Sequence, residues 1–413
     1  MRVLHLCYER LPSPVHIGGG DVRRWQDLCS LTALGHEVHV VACAPGNEAT
    51  DALRERAASV HVIERADLRR IDPRWWLARG LNPETLALAL PNLHGLRDAV
   101  ARVAARVRPA LTWAEEASAV LLAPGPAAPG WAPIVHSHLD FMFKLRPVRR
   151  AALLPGGKRL RRPDALSLAR LERLEVDLCR RAAYTVCASQ SEARYLGDRG
   201  IPASYLPVVG PTTPRPRFDR LSAGRLFLFG NPNTAMRAAR QNLREEVWPI
   251  VQARGLELDW HQLGKTPRPG ADPSWPWVER HCTVHGFVPN LDDVLAPGDA
   301  SLMPYPFDTG GRAKFAVAAG YGVVNVAYEK TFECASEFTH GQDCLAARDP
   351  AHLVDLLADF TSDATLRRRL AEGSRAVYER CHTQEAQLPA YEAVLRSALA
   401  ATSPAADVAR ARG

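Results

Sequence analysis

Short apolar runs alternate with longer stretches whose apolar residues recur at helical spacing, and the rhythm holds from Arg2 to about Arg380. In the first half the runs Val3–Cys7, Glu37–Ala42, Ser59–Val62, Ala110–Trp113, Ile134–Ser137, Tyr184–Ala188 and Ser204–Val208 predict strands. Between them the spacing predicts helices at Asp21–Ala33, Pro91–Val107, Asp164–Arg181 and Gln190–Arg199. Strands that alternate with helices predict a parallel sheet, because each crossover helix carries the chain back to the edge from which it left.

The stretch Pro211 to Arg217 is rich in proline, polar and without period, which marks a linker. Beyond it the rhythm restarts. Strands are predicted at Arg225–Phe229, Leu256–Leu263, Thr283–His285, Ala300–Pro304, Gly322–Ala327 and Cys344–Ala346, with helices at Arg237–Arg254, Asn290–Leu295, Lys314–Ala319, Pro350–Phe360 and Asp363–Arg380. The expected architecture is α/β: two Rossmann-like domains, residues 1–210 and 211–383, with parallel sheets facing each other across a cleft. Residues 384–413 add one amphipathic helix, Gln384–Leu399, and a loose tail.

A chain of 413 residues suits two domains, and 46% hydrophobic with 23% charged residues suits packed cores. The charge of +7, from 52 Lys and Arg against 45 Asp and Glu, is spread along the chain, which fits phosphate-bearing ligands or an anionic membrane surface. Basic residues neither cluster nor interleave with aromatics, so nucleic acid is not an expected partner. Nine cysteines lie scattered without a C-x-x-C pair, several inside apolar runs, and read as buried reduced thiols. With no apolar window of membrane-spanning length and no leader-like start, the expected location is the cytoplasm, with membrane contact at most peripheral. Oligomeric state is left open.

Candidate chemistry concentrates at strand ends. Pro304 to Lys314 holds Asp308, Thr309, Gly310, Gly311, Arg312 and Lys314 between a strand end and a helix start, where backbone N–H groups and cations can hold a diphosphate. Gly18, Gly19 and Gly20 follow the first strand and allow close backbone approach of an anion or a plain turn; they do not form the dinucleotide fingerprint. Gly230 and Asn231 end another strand, ahead of a helix with Arg237 and Arg240 in its first turns, placed either to meet phosphate or in solvent. At His285, Gly286, Phe287 and Val288 backbone groups can pair with a base edge, or form an ordinary turn. In the run Pro133 to Asp140, alternation puts His136 and His138 on one face, with His136 the more deeply buried. Glu115 and Glu116 follow a strand and can bind a polar acceptor or lie in a solvated loop. A metal is not expected, because the ligand count is marginal.

Taken in order, these segments resemble a GT-B glycosyltransferase, most similar to the family 4, glycogen-synthase-like enzymes. The carriers are Gly18-Gly19-Gly20 with the helix to Gly35-His36-Glu37-Val38, Phe229-Gly230 through Glu246-Val247-Trp248-Pro249, Gly286-Phe287-Val288, Gly311-Arg312-Ala313-Lys314, Gly341 to Leu345, and Leu366 to Gly373. The resemblance implies a transferase that moves a sugar from a nucleoside-diphosphate sugar to a small-molecule, glycan or lipid-linked acceptor, with retention of configuration and without metal or other cofactor.

On that resemblance the second domain binds the donor through Gly230, Asn231, Arg237, Phe287, Val288, Asp308, Thr309, Gly310, Gly311, Arg312 and Lys314. Asp140, His138, Arg237 and Lys314 are its implied catalytic residues, and Gly18, Gly19, Gly20, Glu115, Glu116 and His138 its implied acceptor contacts. The chain departs from the family where two glutamates seven residues apart are common: Phe307 to Thr309 and Phe315 to Val317 stand there, leaving Glu333 or Glu337 downstream for the ribose. Asn231 stands where an arginine is common. Two rival functions fit the same architecture: a nucleotide-sugar epimerase, and a catalytically silent nucleotide-sugar-binding protein.

Overall fold

The computed structural model describes residues 1–8, 10–15, 19–43, 46–63, 91–125, 128, 130–153, 162–210, 216–305, 307–308 and 311–401, with the backbone path alone for 91–94, 148–153 and 162–167. Gly18, Thr309, Gly310, most of the expected linker and the expected tail fall outside these residues. The chain divides into two compact units. One comprises Met1–Lys144, Leu160–Val208 and the chain from Gln387 onward; the other comprises Leu145–Arg159 and Val209–Ala386.

The first unit carries a seven-stranded, wholly parallel sheet built from β1 (Arg2–Cys7), β2 (Glu37–Cys43), β3 (Ser59–Ile63), β4 (Leu111–Glu115), β5 (Ile134–His138), β6 (Tyr184–Cys187) and β7 (Ala203–Tyr205). Their order is β3-β2-β1-β4-β5-β6-β7. The helices are α1 (Gly19–Ala33), α2 (Asp51–Arg56), α3 (Pro91–Val107), α4 (Glu116–Leu122), α5 (Met142–Leu153), α6 (Arg162–Arg181) and α7 (Gln190–Gly197). Alternate residues of one strand enter different cores. Val3 and Cys7 pack with Leu28, Val40 and Trp113, whereas Leu4 and Leu6 pack with Val41, Val100 and Val120. Burial on both faces is why these strands read as nearly continuous apolar runs.

The second unit repeats the plan with β8 (Leu226–Phe229), β9 (Trp260–Leu263), β10 (Thr283–Gly286), β11 (Ala300–Met303), β12 (Val324–Tyr328) and β13 (Cys344–Ala347), in the order β10-β9-β8-β11-β12-β13 and again all parallel. Its helices are α8 (Thr234–Asn242), α9 (Trp248–Ala253), α10 (Trp275–His281), α11 (Ala313–Gly320), α12 (Glu329–Phe332), α13 (Pro350–Ser362) and α14 (Ala364–Cys381). The last helix, α15 (Gln384–Ala400), brings Tyr391, Val394, Leu395 and Ala398 into a core of the first unit.

The thirteen expected strands are all present, and the differences have local causes. Where Leu256–Leu263 alternates like a strand, only Trp260–Leu263 pairs, because Glu257 and Asp259 are exposed in the loop before it. The long helix expected over Arg237–Arg254 contains a π turn at Leu243–Val247. Pro249 has no N–H to return to Glu245, so regular α-helical bonding cannot run through that point. Asn290–Leu295 forms only a short 3₁₀ turn, Leu291–Asp293. Helices α2, α4, α5, α10 and α12 are too short or too interrupted for the periodicity to reveal.

All nine cysteines are free thiols. Among the described residues, no helix is long and apolar enough to cross a membrane.

Candidate functional site

In a doubly wound sheet, ligands sit outside the carboxyl ends of the strands where the order reverses. In the second unit that point lies between β8 and β11, where Gly230 and Lys314, two of the donor residues expected from sequence, meet. Three glycines end adjacent strands there: Gly230 after β8 with φ +142°, Gly264 after β9 with φ +122°, and Gly286 closing β10 with φ +70°. A Cβ on Gly264 would stand 2.4 Å from the Gly230 carbonyl oxygen, and one on Gly230 would stand 2.3 Å from Lys314 Nζ. Only glycine permits either the backbone conformation or the close approach. Gly264 was missed in the sequence, where a lone glycine before Lys265 carries no distinguishing signal.

Lys314 stands in the first turn of α11 and packs its ammonium against Gly230. Burial, with Arg312 and Arg240 adding repulsion, pulls it down to about 7. It makes no ion pair among the described residues. A cation held among cations and a glycine-lined backbone is a place for an anion. Arg312 lies over the Tyr305 ring at 5.1 Å, and Tyr305 is itself fixed in the core, its carbonyl accepting from Thr331 Oγ1 at 2.7 Å. Asp308 and Gly311 are half-buried in the same loop.

Asn233 caps α8, its Oδ1 accepting from the Met236 N–H at 2.9 Å, so the preceding first-turn amides have no intrahelical partner. Asn231 Oδ1 accepts the Lys265 N–H at 3.1 Å, a bond between strand ends. The two arginines of α8 separate in role. Arg240 is buried and ion-paired to Asp272 at 2.7 Å, which makes it structural; Arg237 is half-buried and reaches only the Ala271 carbonyl, at 3.4 Å. Phe287 is 61% exposed beneath Lys265, whose Nζ lies 5.6 Å from the ring, while Val288 packs inward. Glu333 pairs with Lys330 and Glu337 with His382.

In the first unit the reversal lies between β1 and β4. Glu115 and Glu116 are adjacent there and go opposite ways. Glu115 ends β4 fully buried, 2.7 Å from His5 Nε2. Burial, with the Asp27 carboxylate adding repulsion, holds its carboxyl well above the usual range. Glu116 turns outward with φ +63°, a left-handed conformation that costs a non-glycine residue about 1 kcal/mol or more, and pairs with Arg24. A Cβ on Gly20 would meet Leu139 Cδ1 at 3.0 Å, Glu116 Oε1 at 3.5 Å and Arg24 Nη1 at 3.6 Å. Gly20, Arg24, Glu116 and Leu139 therefore form one cluster, completed by Asp21, which pairs with Arg24 at 3.0 Å. Gly19 begins α1 with open space around it. Arg24 was missed in sequence because it sits mid-helix with no motif to mark it.

His136 and His138 share a face, as alternation requires, with ring centroids 5.3 Å apart. Both are buried. Burial and His138 hold His136 well below the ordinary imidazole value. Burial opposes protonation of His138 too, but Glu192, Glu175 and Asp140 outweigh it and raise the net value. His138 Nε2 lies 3.4 Å from Glu192, which accepts the Phe141 N–H, while Glu175 accepts those of Met142 and Phe143. These carboxylates anchor the turn into α5. Asp140, half-buried, is the titratable group of this run that faces solvent. Among the described residues no group of three or more His, Cys, Asp or Glu side chains is arranged to hold a metal ion.

No protein-family model matches the sequence, and no curated protein matches it. Solved structures do. Sucrose-phosphate synthase from Thermosynechococcus elongatus superposes with a TM-score of 0.65 at 14% identity, over 97% of this chain and 100% of that one. HepE from Anabaena, solved with UDP and glucose, gives 0.60 at 14% identity over 95% and 99%. TarM from S. aureus, solved as a variant with fondaparinux, α-GlcNAc-glycerol and UDP, gives 0.63 at 7% identity over 95% and 99%. With its two doubly wound parallel units, the chain has the GT-B fold of these glycosyltransferases.

Proposed function

We propose that the protein is a glycosyltransferase that binds a nucleoside-diphosphate sugar at the carboxyl edge of the second unit's sheet and transfers the sugar to a polar acceptor. The observation that carries this reading is Lys314: a half-buried lysine with no anionic partner among the described residues, pressed against Gly230 beside Arg312 at the end of β8 and β11. Such a lysine gains its counter-ion when a diphosphate binds. UDP in the HepE and TarM structures supports a nucleoside diphosphate as the anion.

In this reading Lys314, Arg312 and Arg237, with the first-turn amides of α8, offset the charge that develops on the departing diphosphate. These cations do the work that a divalent ion does elsewhere, so transfer proceeds without metal. With retention of configuration, the departing phosphate takes the acceptor's proton on the face it leaves, and Asp140 and the Glu116–Arg24 pair position acceptor hydroxyls. Gly286 to Val288 present backbone and an aromatic face to the base.

Thermal-shift titration with UDP, GDP, ADP and dTDP tests the donor site, since a ligand that binds only the folded state raises its unfolding temperature. Selective stabilisation by one of them, abolished in Lys314→Met, is expected; no shift with any of the four refutes the assignment. An assay of donor turnover with the acceptor omitted separates transfer from epimerisation, which needs no acceptor.

A further inference from the structure

The glycines at the ends of β8, β9 and β10 are each followed by a side chain that leaves the sheet: Asn231 after Gly230, Lys265 after Gly264 and Phe287 after Gly286. The three strands are neighbours in the sheet, and backbone bonds tie their ends together. The Gly230 N–H donates to the Leu263 carbonyl at 2.8 Å, the Gly264 N–H to the Gly286 carbonyl at 2.8 Å, and the Lys265 N–H to Asn231 Oδ1 at 3.1 Å. Paired strands lie about 4.8 Å apart, so the end of β10 stands about 10 Å from that of β8. A ribose bridges such a gap, between a diphosphate at β8 and a base at β10.

Phe287 is the one exposed Phe, Trp or Tyr among the described residues. It is nonetheless held in place, since the Gly286 carbonyl before it is bonded to Gly264 and Val288 after it packs against the core of Phe227, Leu263 and Leu295. Lys265 is exposed as well, with its Nζ 5.6 Å from the Phe287 ring and no ion pair among the described residues. A cation–π contact at an exposed site is weak, so the ammonium is easily released from the ring. Asn231 Oδ1 is taken by the Lys265 N–H, and His285 Nε2 faces His261 Nδ1 at 2.9 Å. The Lys265 ammonium is thus the charged group that touches the open ring.

We infer that Lys265 reads the base of the donor nucleotide and selects those with a carbonyl at the exocyclic edge position (uracil, thymine or guanine) against cytosine and adenine. This role rests on the donor assignment proposed above, which puts the diphosphate at Gly230 and Lys314. A base stacked on Phe287 gains affinity without selectivity, because every base has a π face. Selectivity comes from the ammonium, which has three donors and no acceptor. Against O4 of uracil or thymine, or O6 of guanine, it makes a charge-assisted hydrogen bond. Against the amino group that cytosine or adenine carries at the same place, donor faces donor. The flexible four-carbon stem of lysine lets the ammonium move from the ring to the edge of a base lying on it.

Calorimetric titration with UDP, dTDP, GDP, CDP and ADP tests it. At least one of the first three is expected to bind the wild-type protein about tenfold or more tighter than CDP and ADP, the size of one good base-edge contact. In Lys265→Met that ratio should fall to about threefold or less, whereas Lys265→Arg, which keeps the donors, should preserve it. Phe287→Ala should weaken all five nucleotides alike, because stacking does not distinguish them. Tightest binding of CDP or ADP by the wild-type protein overturns the inference. So does an equal weakening of all five in Lys265→Met, which would assign the ammonium to the diphosphate, or affinities unchanged in that variant. Those outcomes leave the donor assignment standing; binding of none of the five to the wild-type protein refutes the donor assignment and the role of Lys265 together.

Discussion

Lys314 Nζ lies 2.3 Å from the point where Gly230 would carry a Cβ, so the glycine that ends β8 and the lysine that opens α11 share one volume. The relationship makes Gly230→Ala a sensitive test of the donor edge. Alanine at φ +142° costs on the order of 1–3 kcal/mol in backbone strain, and its methyl displaces the ammonium as well. A fall of several degrees in unfolding temperature is expected, together with at least a tenfold loss of nucleoside-diphosphate affinity by calorimetry. Retention of full affinity would show that the ammonium's position does not matter to binding.

The same ammonium ties stability to pH. Its folded-state value is about 7 against an ordinary 10.5, so between those limits the unfolded chain binds a proton that the folded chain does not. Stability from this group therefore rises as pH increases from about 7 to about 10.5, and its cost is fully present below 7. Lys314→Met should raise the unfolding temperature of the ligand-free protein at pH 6 and flatten the rise above pH 7, while abolishing the nucleotide-induced shift. A variant less stable than wild type at pH 6 would contradict this account of the site.

Glu116 offers a case in which function opposes stability. Glycine suits φ +63° better than glutamate by about 1 kcal/mol, whereas the half-exposed pair with Arg24 contributes about that much or less. Glu116→Gly is accordingly expected to unfold within about 2 °C of wild type. Acceptor-dependent turnover should fall at least tenfold, with nucleotide affinity retained. A large loss of stability would mean that the carboxylate is structural.

The two parallel sheets and the edges at which chemistry gathers were legible because each buried strand is a short apolar run ended by glycine or a polar turn. Gly230, Gly286 and Lys314 stood out for that reason. Less was legible where a residue's role depends on which way one bond turns. Glu115 and Glu116 are neighbours of identical chemistry, and only the left-handed conformation of the second sends one into the core and the other outward. Arg237 and Arg240 look alike on one helix, yet Asp272, 32 residues away from Arg240, claims only the latter. His138 looks exposed at a strand end until Glu192, from α7, covers it. Long-range partners of this kind leave no mark in local sequence.

The deepest such partnership joins the last helix to the first sheet. Asp27 accepts from Trp113 Nε1 at 2.9 Å, from Ser137 Oγ at 2.7 Å and from Tyr391 OH, and it faces the fully buried Arg23 at 3.0 Å. Arg23 in turn donates to the Leu206 carbonyl at 2.8 Å, and the Tyr391 ring stacks on Trp113 at 5.5 Å. Asp27→Asn leaves a buried guanidinium without its counter-charge and sets an amide among donors, which costs about 3–5 kcal/mol. Tyr391→Phe removes one hydrogen bond to a charged acceptor and keeps the stack, costing about 1.5–3 kcal/mol. Asp27→Asn should therefore lower the unfolding temperature clearly more than Tyr391→Phe. In Tyr391→Phe, hydrogen exchange should quicken first at residues 387–400 while β1 stays protected, because α15 reaches this core from the far end of the chain. Equal exchange rates in both segments would mean that helix and sheet unfold as one unit, and that the tyrosine hydroxyl is not what holds the helix down.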